Sequence, residues 1–410
     1  MNTHPHCRFC GTPMSQVVLD LGEQPLANSF LSKADLDRSE EVFRLCVRVC
    51  NACWLMQTDA TPDPRVIFSD YVYFSSYSDL WMRHARDYCA AMTARFGIGR
   101  ESFVIEVASN DGYLLRNFVA DGVRCLGIEP AENVAAVARK ADVPTESVFL
   151  GVQTARDIAS RHGRADLMAA NNVLAHVPDI NDFVAGLAIL LADSGVLTVE
   201  FPHVANLIEL CQFDTIYHEH FSYLSLTAVE TIFARHGLSL FDVEELPTHG
   251  GSLRLYVRHG TAAPSDRLAA LRAREAALGV TTPAYYERFN RRAQGVIAAV
   301  RGFLAEAKAT SKQVVAYGAA AKGNTLLNAC GATTAEIAYA VDRSPHKQNK
   351  WLPGSHLPVF SPERIAETKP DYVFILPWNI KSEIAAQMKH IGGWGGKFVT
   401  AIPELQVFEP

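Results

Sequence analysis

Four cysteines and one cluster of polar side chains hold most of the chemistry in this sequence. Cys7-x-x-Cys10 and Cys50-x-x-Cys53 are pairs whose spacing lets both thiolates point at one ion. Four thiolates close a tetrahedral zinc shell with no open position, so such a site would be structural. The stretch between the pairs exceeds the usual ribbon spacing. The alternatives are free cysteines in a small core, or a redox pair, although no thioredoxin-like strand precedes either pair. The polar cluster is DTIYHEHFSYLS at 214–225, with Tyr217, His218, Glu219, His220 and Tyr223 together. A single His or Tyr usually satisfies a core hydrogen bond, but so many titratable groups in one block point to acid–base chemistry. His218 and His220 lie two apart, which on a helix would send them to opposite sides and argues against a shared metal. Tyr71, Tyr73 and Tyr77 of YVYFSSYS, and His176, are further candidates.

Two small-residue turns could hold ligands. In VIEVASNDGYLL (104–115) an apolar strand meets the turn Ser109-Asn110-Asp111-Gly112, which opens a helix. Small residues there let backbone approach a ligand closely. A class I methyltransferase sets the methionine part of S-adenosylmethionine over this turn, with an acid at the end of the next strand on the ribose. Here that strand is CLGIEP, ending at Glu129 and Pro130. Glu106 would receive hydrogen bonds around the cofactor's amino group, while Ser109, Asn110 and Gly112 line its carboxylate. Asn171, Asn172 and Leu174, after a fourth strand, would supply floor and wall. Ala108 and Asn110 stand where glycines are usual, and G-x-G-x-x-G, which a dinucleotide turn would want, is absent. The second turn, Gly318 to Asn324, follows the strand VVAY and suits phosphate at a helix N-terminus. Gly318, Lys322 and Asn324 belong to it, Arg343, His346 and Lys347 follow in a basic loop, and Trp378 could stack on a base. Asp342 ends the next strand, where a nicotinamide dinucleotide's ribose would sit, so an NAD(P)-dependent oxidoreductase is the rival reading.

These residues need elements to position them. Residues 1–75 are short-range and turn-rich, a small module dependent on its metal. Over 76–245 apolar strands alternate with helical segments, which predicts a parallel sheet covered by helices. A strand at 251–260 and an Ala/Arg/Glu-rich helical region form a connector over 246–310, and strand, glycine turn and helix return over 311–410. The fold class is α/β, with an N-terminal zinc-binding module and two Rossmann-like units. The length of 410 residues suits several domains, and the net charge of −6 lacks the concentrated basic face that nucleic acid requires. Nine cysteines, with no leader-like start and no long apolar run, suggest a cytoplasmic protein using metal rather than disulfides. A monomer without membrane or nucleic-acid partners is expected.

In combination these segments resemble the sugar-nucleotide C-methyltransferases, specifically the C-3′-methyltransferases of deoxysugar biosynthesis for natural-product antibiotics. The motifs are LGEQPLANSF, YVYFSSYS, IEVASNDGYLL, GIEPAENVA, NNVLAHV, TVEFPHV, YHEHFSYLS, HGGSLRLYV and GAAAKGNTLLN, spread over essentially the whole chain. The resemblance implies a dTDP-linked 4-keto-deoxysugar, 3-amino in its favoured form, bound between the central and C-terminal domains. It also implies His220 as base with Tyr217 as second choice, Glu219 orienting a partner, and Tyr71 and His176 on the sugar or its keto oxygen.

Overall fold

The computed structural model describes residues 5–59, 74–77 and 79–410. Tyr71 and Tyr73 lie outside the described residues. The N-terminal module is an antiparallel sheet of Gln16–Pro25, Val42–Val49 and Met56–Thr58, completed by a strand from far along the chain, Ser222–Tyr223. The polar block singled out in the sequence therefore ends as an edge strand of the cysteine module. The cysteine pairs occupy the tight turns at residues 7–10 and 50–53, outside the strands.

The central sheet has seven strands. Phe103–Val107, Arg124–Ile128, Thr145–Glu146, Ala165–Asn171 and Leu191–Pro202 run parallel, and every residue of Phe103–Val107 is buried. Helices cover both faces of these strands, which is why they read as continuous apolar runs rather than alternating ones. Ser252–His259 then runs antiparallel between Leu191–Pro202 and Leu238–Leu246. The strand expected at 251–260 thus lies inside the central sheet, because its apolar residues are needed to cover the last parallel strand. The connector proper is helical. Asp266–Leu278 starts at Ser265, whose hydroxyl caps Leu268 N, and Pro283–Ala309 starts with a proline that has no helical amide bond to lose. The longer helix buries Tyr286, Phe289, Ala293, Val296, Val300 and Leu304 at three- and four-residue spacing, along one face.

The C-terminal unit is a six-stranded sheet. Val359–Phe360, Ala340–Val341, Val314–Tyr317, Tyr372–Ile375 and Lys397–Thr400 are parallel, and Gln406–Phe408 closes the edge antiparallel. The N-terminal module reaches over to it. Leu31 and Trp351 exchange backbone hydrogen bonds of 2.9 Å in both directions, and the Glu40 carboxylate accepts from Gly354 N and His356 Nε2. Among the described residues no helix is long and apolar enough to cross a membrane.

Candidate active site

The four thiols meet. Sγ of Cys7, Cys10, Cys50 and Cys53 all lie within 4.8 Å of one another, with Cys7–Cys53 at 3.6 Å, Cys10–Cys50 at 3.5 Å and Cys10–Cys53 at 3.7 Å. Bonds of about 2.3 Å to a tetrahedral ion require edges of about 3.8 Å. The thiols therefore fit zinc, and a cage of four leaves no place for a substrate.

At the carboxyl edge of the central sheet, the turn after Phe103–Val107 takes an unusual path. Ala108 (φ 56°), Asn110 (φ 50°) and Gly112 (φ 76°) are all left-handed. The non-glycine residues thus hold the backbone conformation that glycine ordinarily supplies, at a cost of about 1 kcal/mol or more each. At Gly112 a side chain is also excluded by space, since a Cβ would sit 2.9 Å from Val143 Cγ2. Glu129 ties the turn from below, with Oε2 accepting from Asn110 N and Oε1 from Ala131 N, both at 2.9 Å. Pro130 lends its carbonyl to Ser147 Oγ. Asn110 Oδ1 accepts from Ser75 N and Asp111 Oδ2 from Ser76 N, so Ser75 and Ser76 close over the turn.

Around this turn, buried polar atoms lack partners among the described residues: both Glu106 carboxyl oxygens, Ser109 Oγ, Asp111 Oδ1, Asn171 Oδ1, and Asn172 Nδ2 and Oδ1. Each unmet group costs about 1–3 kcal/mol, so so many at the end of two adjacent strands mark a place where a polar ligand belongs. Burial and then the Glu129 charge push the Glu106 carboxyl well above its ordinary range. A cationic ligand would reverse that shift, and the ammonium and sulfonium of S-adenosylmethionine fit this acidic setting. Asn172 is left-handed (φ 54°), and its amide reaches the Glu200 carbonyl. Leu174 differs from its neighbours, its side chain lying wholly in the apolar core.

Between the short 3-10 turn Phe213–Thr215 and the strand Ser222–Tyr223, residues 216–221 of the block form an irregular turn rather than a helix, and the side chains diverge. His220 Nδ1 lies 3.0 Å from the Thr215 carbonyl and His176 Nδ1 lies 2.8 Å from the Glu219 carbonyl. A carbonyl only accepts, so in each neutral ring Nδ1 carries the proton and Nε2 the lone pair. The two rings meet edge to face at 4.7 Å, and Tyr217 lies 4.1 Å from His220. Burial pushes His176 down to about 4 and, with His176 beside it, holds His220 well below the ordinary imidazole range. Both are neutral near pH 7. His218 turns away to the Phe43 carbonyl of the cysteine module. The Glu219 carboxylate also points that way, accepting from Asn28 Nδ2 at 2.7 Å, and burial lifts it to about 7. Phe221 N bonds the Ala175 carbonyl, which docks the block on the end of the fourth strand.

In the C-terminal unit Gly318 is left-handed (φ 93°), and a Cβ there would strike Pro377 Cδ at 2.5 Å. Lys322 Nζ bonds Asn379 Oδ1 and lies 4.6 Å above the Trp378 ring. Trp378 Nε1 donates at 2.8 Å to Asp214 of the polar block, so Lys322 and Trp378 both stand where the two domains meet. Asn324 Nδ2 donates to the Ala27 carbonyl, while its Oδ1 is buried without a partner among the described residues. Lys347 Nζ bonds the Ala319 carbonyl, His346 stacks on Tyr77 at 6.2 Å, and Arg343 is exposed. Both Asp342 oxygens are engaged by backbone amides, of Ala319 and Ser344.

Two further buried groups stand outside the candidates singled out by residue type and spacing. Asp214 is wholly buried, with Oδ1 unpartnered among the described residues, and burial lifts it to about 6 against the pull of Lys322. The second is a network around Glu200, which takes Arg254 Nη2 at 3.0 Å, His84 Nε2 at 3.1 Å and Thr248 Oγ1 at 3.3 Å. Burial opposes the Glu200 charge, and His84 and Arg254 outweigh it. Trp81 stacks on His84 and meets His249 edge-on. An acid inside the apolar run TVEF is the same signal that marked Glu106 in VIEV, and it could have found Glu200. Nothing local marks His84.

The chain matches three family models in succession: a putative zinc binding domain over residues 7–68, a methyltransferase domain over 81–243, and a C-methyltransferase C-terminal domain over 247–403. It is 37% identical over 403 residues to the C-methyltransferase NovU of Streptomyces niveus, covering 98% of this chain and 96% of that protein. Among solved structures, magnesium protoporphyrin IX methyltransferase of Synechocystis with bound SAH aligns with 47% of this chain and 92% of its own, at 17% identity and a TM-score of 0.36. An S-adenosylmethionine-dependent methyltransferase from Clostridium acetobutylicum aligns with 44% of this chain and 92% of its own, at 10% identity and a TM-score of 0.35. The family match decides for methyl transfer over the oxidoreductase reading. The chain belongs to the zinc-module C-methyltransferases, enzymes that use S-adenosylmethionine and fold as a cysteine-ligated zinc domain, a class I methyltransferase domain and a C-terminal α/β domain.

Proposed function

We propose that this enzyme methylates C-3′ of a dTDP-linked 4-keto-deoxysugar by removing the proton beside the ketone. A single observation carries the reading: the His220 Nδ1 proton is committed to the Thr215 carbonyl, so Nε2 presents a lone pair on a neutral ring, next to Tyr217 and His176. A C–H beside a ketone is acidic enough for a positioned base when donors stabilise the enolate oxygen. His220 takes the proton, with Tyr217 as the alternative, and His176 and Tyr71 hold the sugar or its keto oxygen. Glu219 orients His176 through its carbonyl. Bound S-adenosylmethionine supplies a sulfonium methyl, and the new C–C bond forms as the S–CH3 bond breaks.

Glu106, Ser109, Asn110 and Gly112 would hold the methionine part of the cofactor and Glu129 with Pro130 its ribose, while Asn171 and Asn172 border the site. Each Glu129 oxygen accepts one backbone amide and can accept a ribose hydroxyl as well. Gly318, Lys322, Asn324, Arg343, His346, Lys347 and Trp378 form the nucleotide side, between the central and C-terminal domains.

The test is incubation with labelled cofactor and a panel of dTDP-4-keto-sugars, with the methyl position read by NMR. A methyl at C-3′ is expected, whereas one at C-5′, the other carbon flanking the ketone, would overturn the regiochemistry. His220→Asn should abolish exchange of the C-3′ proton with solvent, and unchanged exchange would remove His220 as base.

A further inference from the structure

We propose that Asn28, in the zinc module, is a positioning residue for methyl transfer, its amide fixing the Glu219 segment whose carbonyl holds His176 against His220. The inference rests on the reading of His220 and His176 just given. Asn28 Nδ2 donates to Glu219 Oε1 at 2.7 Å, and among the described residues this is the hydrogen bond that the Glu219 carboxylate receives. The Glu219 carbonyl takes His176 Nδ1–H at 2.8 Å, and His176 meets His220 at 4.7 Å with the planes 66° apart.

Asn28 belongs to a short strap that also touches the opposite side of the site. The carbonyl of the preceding residue, Ala27, accepts from Asn324 Nδ2 on the helix after the Gly318 turn. Two residues beyond Asn28, the Phe30 ring lies 5.8 Å from Lys347 Nζ, and Leu31 pairs with Trp351. Residues 27–31 therefore link the proton-handling block to the glycine-turn helix and the basic loop, with Asn28 as the link to the block. A zinc module that served stability alone would need only its sheet pairing with Ser222–Tyr223. An amide aimed at a carboxylate lifted by burial to about 7 is a stronger and more directional tie than a neutral contact.

The test compares Asn28→Leu, which removes the donor, with Asn28→Gln, which keeps an amide on a longer arm, in the full-length, zinc-loaded enzyme. Asn28→Leu should lower kcat about tenfold, the scale of one buried hydrogen bond to a charged group. C-3′ proton exchange should fall in parallel, while KM for S-adenosylmethionine and zinc content hold steady, and Asn28→Gln should recover most of the loss. Wild-type kcat in zinc-replete Asn28→Leu, a change in KM alone, or equal loss in both variants would overturn the proposal. If Asn28→Leu loses zinc, Asn28→Ala, which removes the same donor without adding an apolar branch, carries the same test in the zinc-loaded protein. The base assignment is judged separately by His220→Asn: its failure shows as exchange that survives that substitution, and Asn28 is then judged on kcat and KM alone.

Discussion

His220 and Glu219 are adjacent, yet burial acts on them in opposite directions. It disfavours the charged form of each, pushing the imidazole down and the carboxyl up to about 7. A base must be unprotonated to work, and a lowered imidazole stays unprotonated further into acid. With saturating substrates, kcat should therefore hold steady from about pH 8 to about pH 6 and fall only below the ordinary imidazole value. A pH–rate profile checks this, and a limb near pH 7 would report Glu219 as the controlling group. A cluster of buried titratable groups was legible in YHEHFSYLS, because its residue types are rare in such density. The division of labour was not. That His218 turns to Phe43, and that Glu219 serves His176 through its carbonyl and Asn28 through its carboxylate, depends on contacts with residues between 43 and 191 positions away.

Among the elements, the parallel strands and their helices followed from apolar runs and turn residues, whereas Ser252–His259 reads like any exposed-edge strand until its neighbours are known. The junction below it shows how the helical connector is fixed. Glu275 on Asp266–Leu278 takes His203 Nε2 at 2.6 Å, caps the earlier helix Leu226–Arg235 through Leu226 N and Thr227 N, and is 1% exposed, as is His203. Burial works against this carboxylate, but the His203 bond and the Thr227 donors hold it below its usual range. Glu275→Ala would strand His203 and two amides in the interior. It should cost about 3–5 kcal/mol, read as a lower denaturation midpoint, with the cofactor Kd little changed in the protein that remains folded. An equally stable variant would mean that the junction is held by packing alone.

Across the whole molecule, zinc stands away from the chemistry but not from the site it supports. Chelation should lower the melting temperature by about 10 °C, with activity lost in step with structure rather than ahead of it. Paired activity and circular-dichroism time courses decide, and activity lost while the fold persists would assign the metal a direct part. The cysteine spacing revealed the zinc site, but no local pattern could reveal that Ser222–Tyr223 is the fourth strand of its sheet. That pairing has a consequence for how the protein is made. The N-terminal module leaves the ribosome first, yet its sheet stays one strand short until some 160 further residues have been translated, so it is completed only after the parallel strands of the central sheet have been made. Exchanging modules between related enzymes would meet the same constraint: a transplanted zinc domain must bring the 214–223 segment with it, or arrive without its own edge.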